Sequence, residues 1–241
     1  MTINLGTKEA DVDITSTAQG LGLTLNYSVA SDIAVGSAQG PLTLNTGDGN
    51  AVIDVAKIDG PLTLICGIGD HDVKLSEIAG DVLLTLGDGN QIVGIEDITN
   101  NLAVTLGTGN HVLRISGTTG NINATSLGGG EEFIVVQNTA SDVSITTTST
   151  TTTSNYTIQD TTGNVTVNSL QSSSGQGTHY YDISNTSGDV AVTAQGGNVK
   201  VLDVKTNATQ TVMNVLDTTT GDQSDSDHAF DIENTLQRDV F

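Results

Sequence analysis

The chain contains no tryptophan, and its aromatic residues make up only 3 % of 241 positions. A large globular core packed with rings is therefore excluded, and Val, Ile, Leu and Thr must supply the buried volume. Branched side chains of that kind suit pleated strands better than helices. Basic residues are just as scarce, with 7 Lys+Arg against 28 Asp+Glu and a formal charge of −21. No basic stripe exists to neutralise phosphate, which argues against nucleic acid and anionic lipid as partners. Such an acidic surface attracts divalent cations instead. Charged residues are only 15 % of the chain, too sparse for a halophilic coat. A single cysteine, Cys66, rules out an intramolecular disulfide, and its place in an apolar column marks it as a small core residue. There is neither a charged-then-apolar N-terminal leader nor an apolar run long enough to span a bilayer as a helix.

What is present is repetition. Four consecutive blocks between Gly40 and Gly120 share a period of twenty residues. Each runs through alternating apolar residues, a Gly-rich corner, more alternating apolar residues, a short apolar step and a small residue. The two prolines of the chain, Pro41 and Pro61, take matching places in their blocks. Leu42, Leu62, Val82, Leu102 and Ile122 form one column, and Leu44, Leu64, Leu84, Val104 and Ala124 the next. Beyond the corner come Ile53, Val73, Val93 and Leu113, then Val55, Leu75, Ile95 and Ile115, and a third step carries Ile58, Ile78 and Ile98. Alternation of period two marks strands with one buried face, and no block shows a helical 3.6 period. Short strands stacked at a fixed twenty-residue period predict an all-β, single-domain parallel β-helix of roughly ten rungs. The register would set Asp54 beside Lys74 and Lys57 beside Glu77.

Residues 1–39 read as degenerate rungs, with Ala18-Gln19-Gly20 recurring as Ala38-Gln39-Gly40. From Asn121 the pattern loosens, and one extra residue enters at Gly128-Gly129-Gly130. The β-helix is expected over 1–217 and an acidic tail over 218–241. In that tail Ala229, Ile232, Leu236 and Val240 fall at helical spacing behind an N-cap at Ser226 or Asp227, so a short capping helix is the first expectation. A strand donated to a neighbour is the second.

The corners read Gly47-Asp48-Gly49-Asn50, Gly67-Ile68-Gly69-Asp70, Gly87-Asp88-Gly89-Asn90 and Gly107-Thr108-Gly109-Asn110. Gly and Asn tolerate left-handed backbone, which a tight corner needs. An Asn50–Asp70–Asn90–Asn110 ladder of rung-to-rung hydrogen bonds is the structural reading. The functional reading is calcium held by Asp48, Asp70 and Asp88, because Ca²⁺ requires several oxygen ligands on one edge. No cofactor is required by the pattern, and calcium is the one it suggests. The nine-residue calcium repeat is matched only in part, since Ile68 and Thr108 interrupt the Asp column.

No nucleophile elbow, phosphate loop, zinc spacing or dinucleotide fingerprint occurs, and no catalytic residues are assigned. Asp54, Lys74 and Arg114 share an outward row that Gly94 breaks. His71 and His111 share a column two rungs apart, too far to clamp one metal, and are expected as solvated surface residues. Thr43 and Thr63 start a hydroxyl row that Leu83 and Ala103 end, which weakens an ice-binding reading. The run Thr146 to Thr153 must point its side chains to both faces.

With a repeat of the form Gly-x-Leu-x-Leu-x-x-Gly-Asp-Gly-Asn-x-x-Ile-x-Val, the chain resembles the β-helical repeats of large secreted and cell-surface bacterial proteins. That resemblance implies a right-handed coil and an extracellular adhesive, matrix, surface-layer or fibre role. The ending Arg238-Asp239-Val240-Phe241 is similar to the C-termini of type I secretion substrates, which implies export without an N-terminal leader. The leading expectation is a non-enzymatic structural protein that assembles with itself through the solenoid ends, in a surface layer, fibre or matrix. Cell-surface polysaccharide is a further partner to consider. One alternative is a carbohydrate-binding or polysaccharide-degrading β-helix, with Tyr156, Tyr180 and Tyr181 lining a groove. A viral tail-spike segment is another.

Overall fold

A computed structural model of the protein describes residues 2–6, 12–14, 23–27, 32–149, 153–171, 178–195, 198–206, 211–216 and 229–234. The chain forms a parallel β-solenoid of about seven turns of about 20 residues, with the same ladders running on through strands at either end. All twenty strands join one continuous hydrogen-bonded array, and no helix occurs among the described residues.

Two parallel ladders make up the wall. One stacks Leu42–Asn45, Leu62–Ile65, Val82–Leu86 and the start of Leu102–Ser116, with Leu42, Leu62, Val82 and Leu102 in register. The other stacks Ala51–Ile58, His71–Ile78 and Gln91–Ile98, with Ile53, Val73 and Val93 in register. Two long strands, Leu102–Ser116 and Ile122–Thr139, round the corner and belong to both ladders. The predicted columns therefore stand above one another as read, and each is buried because alternate side chains of a strand face one side. Asp54 stands beside Lys74, and the outward row Asp54–Lys74–Gly94–Arg114 holds.

The extra residue at Gly128-Gly129-Gly130 is absorbed as a bulge. Gly109 pairs with Gly129, whereas His111 pairs with Glu132. Gly128 and Gly129 both take positive φ there. After it the coil continues through Val143–Ser149, Ser154–Thr161, Val165–Gln171 and Thr178–Thr186 in the same two ladders. In the threonine run Thr147 is buried while Thr146 and Thr148 are half-buried, as two-sided alternation requires.

The third apolar step is a second, left-handed corner. Lys57, Glu77 and Asp97 sit at φ near +55°, and Gly117, Asn138, Asp160 and Asn185 follow at matching positions. Lys57 and Glu77 thus occupy equivalent places in successive turns, at a bend that turns Ile58 and Ile78 inward. From Thr118 onward the inward residue after this corner is threonine, with Thr139 Oγ1 donating to Thr161 Oγ1 at 3.2 Å.

The tail departs from expectation. Ala229–Asn234 is a strand pairing with Asn198–Thr206, not part of a capping helix. Its sequence satisfies period two as well as 3.6, and an open ladder offers main-chain partners that an isolated short helix lacks. Ser226, Asp227, Leu236, Val240 and the ending Arg238 to Phe241 lie outside the described residues, as do Ala18 to Gly20.

Corner glycines are fixed by stacking as well as by dihedral angle. Gly89 takes φ +136°, and a Cβ there would run into the carbonyl of Gly69 in the turn below. Both penalties act together, so Gly89→Ala is expected to destabilise the protein by about 2 kcal/mol or more. Chemical denaturation monitored by far-UV circular dichroism measures it, and a loss below about 0.5 kcal/mol would contradict the stacked-corner geometry.

Candidate functional site

The Gly corners carry a hydrogen-bonded ladder. Asn50 Oδ1 accepts from the Asp70 amide at 2.8 Å, Asp70 Oδ1 from the Asn90 amide at 2.7 Å, and Asn90 Oδ1 from the Asn110 amide at 3.2 Å. The Asn90 and Asn110 side-chain amides also donate down the same row. Beside it, Asp48 Oδ1 accepts from the Ile68 amide at 2.9 Å and Asp88 Oδ1 from the Thr108 amide at 2.8 Å. Corner backbone leaves the sheet ladder, and these side chains pair amides that would otherwise face water alone. The three predicted calcium ligands thus fall into two rows. Asp48 and Asp88 share one with Ile68 between them, about 10 Å apart at two rung spacings, and Asp70 stands in the other. Each engages one carboxylate oxygen with the next turn. Hydrogen bonds from Thr108, its amide first, hold the Asp88 carboxyl below its ordinary range. Among the described residues no three His, Cys, Asp or Glu side chains gather closely enough to hold a metal ion.

A second ladder of the same kind escaped the sequence reading. On the edge opposite the Gly corners, Asp81 Oδ1 accepts from the Asn101 amide and Asn101 Oδ1 from that of Asn121. Asn121 then pairs Asp142, Asp142 pairs Asn164, and Asn164 pairs Asp189. Asp81, Asn101 and Asn121 keep the twenty-residue spacing, and it is lost only beyond them, at the Gly128–Gly130 bulge and in the longer later turns.

Inside the Gly corner runs a polar column. Ala51, His71, Gln91, His111, Glu132, Ser154 and His179 stand in register and are all buried. The expectation that His71 and His111 are surface residues is wrong: they are 2 % and 1 % exposed. Each sits two residues before an inward apolar position, so strand parity sends it inward. Their Nε2 atoms meet the carbonyls of Gly67 and Gly107 at 3.1 and 3.0 Å, and Gln91 Nε2 donates to Gly69 and Gly87. These side chains satisfy carbonyls that the corner turns into the core.

Farther along, the column becomes a network. Ser126 Oγ donates to Glu132 Oε1 at 2.8 Å, and His111 Nε2 lies 4.0 Å from that oxygen. Burial pushes the Glu132 carboxyl up to about 8, against the Ser126 hydrogen bond, while burial lowers the His111 imidazole. Both shifts favour the uncharged forms, so the contact joins two neutral groups at neutral pH. Tyr156 OH contacts Thr147 Oγ1 and donates to Ser169 Oγ at 3.2 Å, and Ser169 Oγ meets His179 Nδ1 at 2.9 Å. Tyr156 and Tyr181 stack with centroids 5.1 Å apart. This corrects the expectation of a tyrosine-lined groove. Tyr156 and Tyr181 are buried core residues with raised hydroxyl pKa values, chiefly from burial, and only Tyr180 reaches partly to solvent. Tyr156 is in register with the inward Ile134 of the preceding turn, and Tyr181 with Tyr156.

The outward row offers little chemistry. Arg114 lies over the Phe133 ring at 5.3 Å, engaged by the neighbouring turn, and Gly94 leaves a gap. A shallow depression of about 390 Å³ follows the Gly corner, lined among others by Asn50, Asp70, His71 and Asn90.

The chain matches no family model, no curated protein and no solved structure. The parallel β-solenoid is therefore established by geometry alone.

Two consequences can be measured. Burial pushes the Cys66 thiol up to about 11, against a hydrogen bond to Thr46. A thiol reagent at pH 8 is expected to leave Cys66 untouched in the folded protein and to label it after denaturation. Labelling at equal rates would refute its burial. For Glu132, the folded state retains a proton up to about 8, whereas the unfolded chain releases it near 4.5. Rising pH between those values therefore destabilises the fold. His111 acts oppositely below 6.5, where the unfolded chain holds the extra proton. Above 6.5 only Glu132 of this pair still acts, and its contribution should lower stability from there to pH 8, by at most about 1.4 kcal/mol per unit. Glu132→Gln should flatten that slope in thermal melts, and an unchanged slope would rule Glu132 out as its source.

Proposed function

We propose that the protein is a non-enzymatic extracellular structural element that joins end to end through its solenoid termini into a fibre, surface layer or matrix. The observation that carries this reading is where the polar side chains are used. Asp48, Asp70, Asp88, Asn90 and Asn110 at one corner, and Asp81 to Asp189 at the other, bond from turn to turn. Chemistry spent along the axis stiffens a rod. The end strands supply the means of joining. Among the described residues Thr2–Gly6 pairs only with Leu23–Tyr27, and Ala229–Asn234 only with Asn198–Thr206. A strand with one open side is a template for another chain.

The resemblance to repeats of secreted bacterial proteins supports an extracellular setting, and type I export is the route its C-terminal residues suggest. Calcium has a place only as an aid to assembly. The carboxylates at 48, 70 and 88 are separate rows on one chain, and a shared ion would draw oxygens from a second chain or from water. Negative-stain electron microscopy and sedimentation velocity, with calcium and with chelator, test both points. Ordered end-to-end assemblies are expected as concentration rises, longer with calcium if the corners take part. A chain that stays monomeric under every condition would overturn the proposal.

A further inference from the structure

The ladder that begins each turn has an outer face without charge. Its strand segments at 42–46, 62–66, 82–86, 102–106, 122–126, 143–147, 165–169 and 190–194 contain no Asp, Glu, Lys, Arg or His. In a chain with 28 acidic residues this is a strong local exception. The opposite ladder has Asp54, Asp72, Lys74, Glu96 and Arg114 exposed on its outside. Charges return only at the edges of the neutral face, with Asp81, Asp142 and Asp189 along one and Asp48 and Asp88 along the other.

The neutral face is also regular. Thr85, Thr105, Thr125 and Thr146 stand in register in one outward row. This row escaped the sequence reading, which followed only Thr43 and Thr63 in the row beside it. There Ala103, Asn123 and Ser144 continue with short side chains. Two larger apolar side chains, Ile65 and Leu83, are 41 % and 44 % exposed on the same face. A shallow trough of about 500 Å³ runs across it between Pro61 and Asn123.

We infer that this face is a lateral docking surface for a second copy of the same chain, laid face to face. Charge selects the occupant. Two copies of net charge −21 that met through most other surfaces would oppose carboxylates, which is costly at close range. Through this face they meet with hydroxyls, methyls and short amides, and the carboxylates stay at a solvated rim. Geometry agrees with charge. Both copies present the same flat rows at the same rung spacing, so a two-fold arrangement matches each row with its counterpart. Eight rungs at about 4.8 Å by five residues at about 3.3 Å give roughly 600 Å² per copy. That is the low end of a specific interface, so pairing is weak, concentration-dependent and favoured by salt, which screens the rims. The inference shares with the proposed structural role the idea of self-association, but it concerns the side of the rod and not its ends.

Sedimentation velocity of the full chain across concentration, at low and high salt, provides the test. Pairs are expected to strengthen at high salt and to weaken about tenfold or more in Thr105→Asp, near the middle of the face. Val112→Asp, at an outward position on the opposite ladder, should leave them unchanged. Because Thr105→Asp could lower stability, Thr105→Cys gives a second readout: mild oxidation should link two copies, whereas Val112→Cys should not link. Electron microscopy separates this from end joining, since lateral pairs double the width of a rod without lengthening it. Absence of pairs at high salt, or pairs indifferent to Thr105→Asp together with an unlinked Thr105→Cys, would overturn the inference. Rods that widen without lengthening would keep the inference and reject end-to-end assembly.

Discussion

In the described turns, strand residues lie beside their counterparts from the next turn, held there by a parallel main-chain hydrogen-bond ladder. Everything else in the structure answers to that constraint. Side chains in one column share an environment, so apolar residues stack on apolar ones over several turns, and inward polar residues gather beside the corners, where main-chain carbonyls bond to several of them. The backbone must also turn at the same point in every turn, and there main-chain carbonyls pair only alternate amides, such as those of Gly49, Gly69 and Gly89. The Asn and Asp rows at the corners solve that problem, because a short side-chain oxygen reaches the amide of the next turn. They serve the coil in the way capping residues serve helix ends.

The interior is divided along its length. Early turns are filled mainly by Ile, Leu and Val, with His71, Gln91 and His111 inside the Gly corner, and later ones add Ser126, Glu132, Thr147, Ser169, His179 and two stacked tyrosines. The transition falls at the turn where Gly128–Gly130 inserts an extra residue and the rung lengthens. Beyond that point the inward hydroxyl, carboxyl and imidazole groups bond chiefly to one another, which is how buried polar groups are kept paired. Specificity in the later turns is therefore directed inward, into a hydrogen-bonded network, and not onto a groove.

The outer surface shows a different division. One ladder carries charges along its outer face and the other carries none between positions 42 and 194, where carboxylates stand only at its edges. A chain this acidic repels its own copies over most of its surface, so an uncharged flank has consequences that a mixed surface would lack. The proposed end-to-end joining and the inferred lateral pairing would act in different directions, along the axis and across it.

Much of the scaffold was legible because a solenoid writes its contacts at a fixed separation in sequence. Ile53, Val73 and Val93 could be paired by counting, and so could Asp54 with Lys74. The same parity argument, applied to polar residues, would have placed His71, His111 and Tyr156 inside. Strand parity, set by Val73 and Leu113 two residues on, outweighs the usual exposure of histidine. Asp81, Asn101 and Asn121 keep the twenty-residue period and could be counted as well, and only from Asp142 to Asp189, beyond the bulge, is the count lost.

Sequence alone thus determined the fold, the register from Gly40 to Gly120 and the need for left-handed corner residues, because these depend on local period and backbone allowance. Tertiary structure decided which polar groups are buried, that the predicted calcium carboxylates fall in two separate rows, that the tail adds a strand, and which flank is free of charge. Those depend on what stands one turn above and below, and on how each inserted residue is absorbed, neither of which a single stretch of sequence contains.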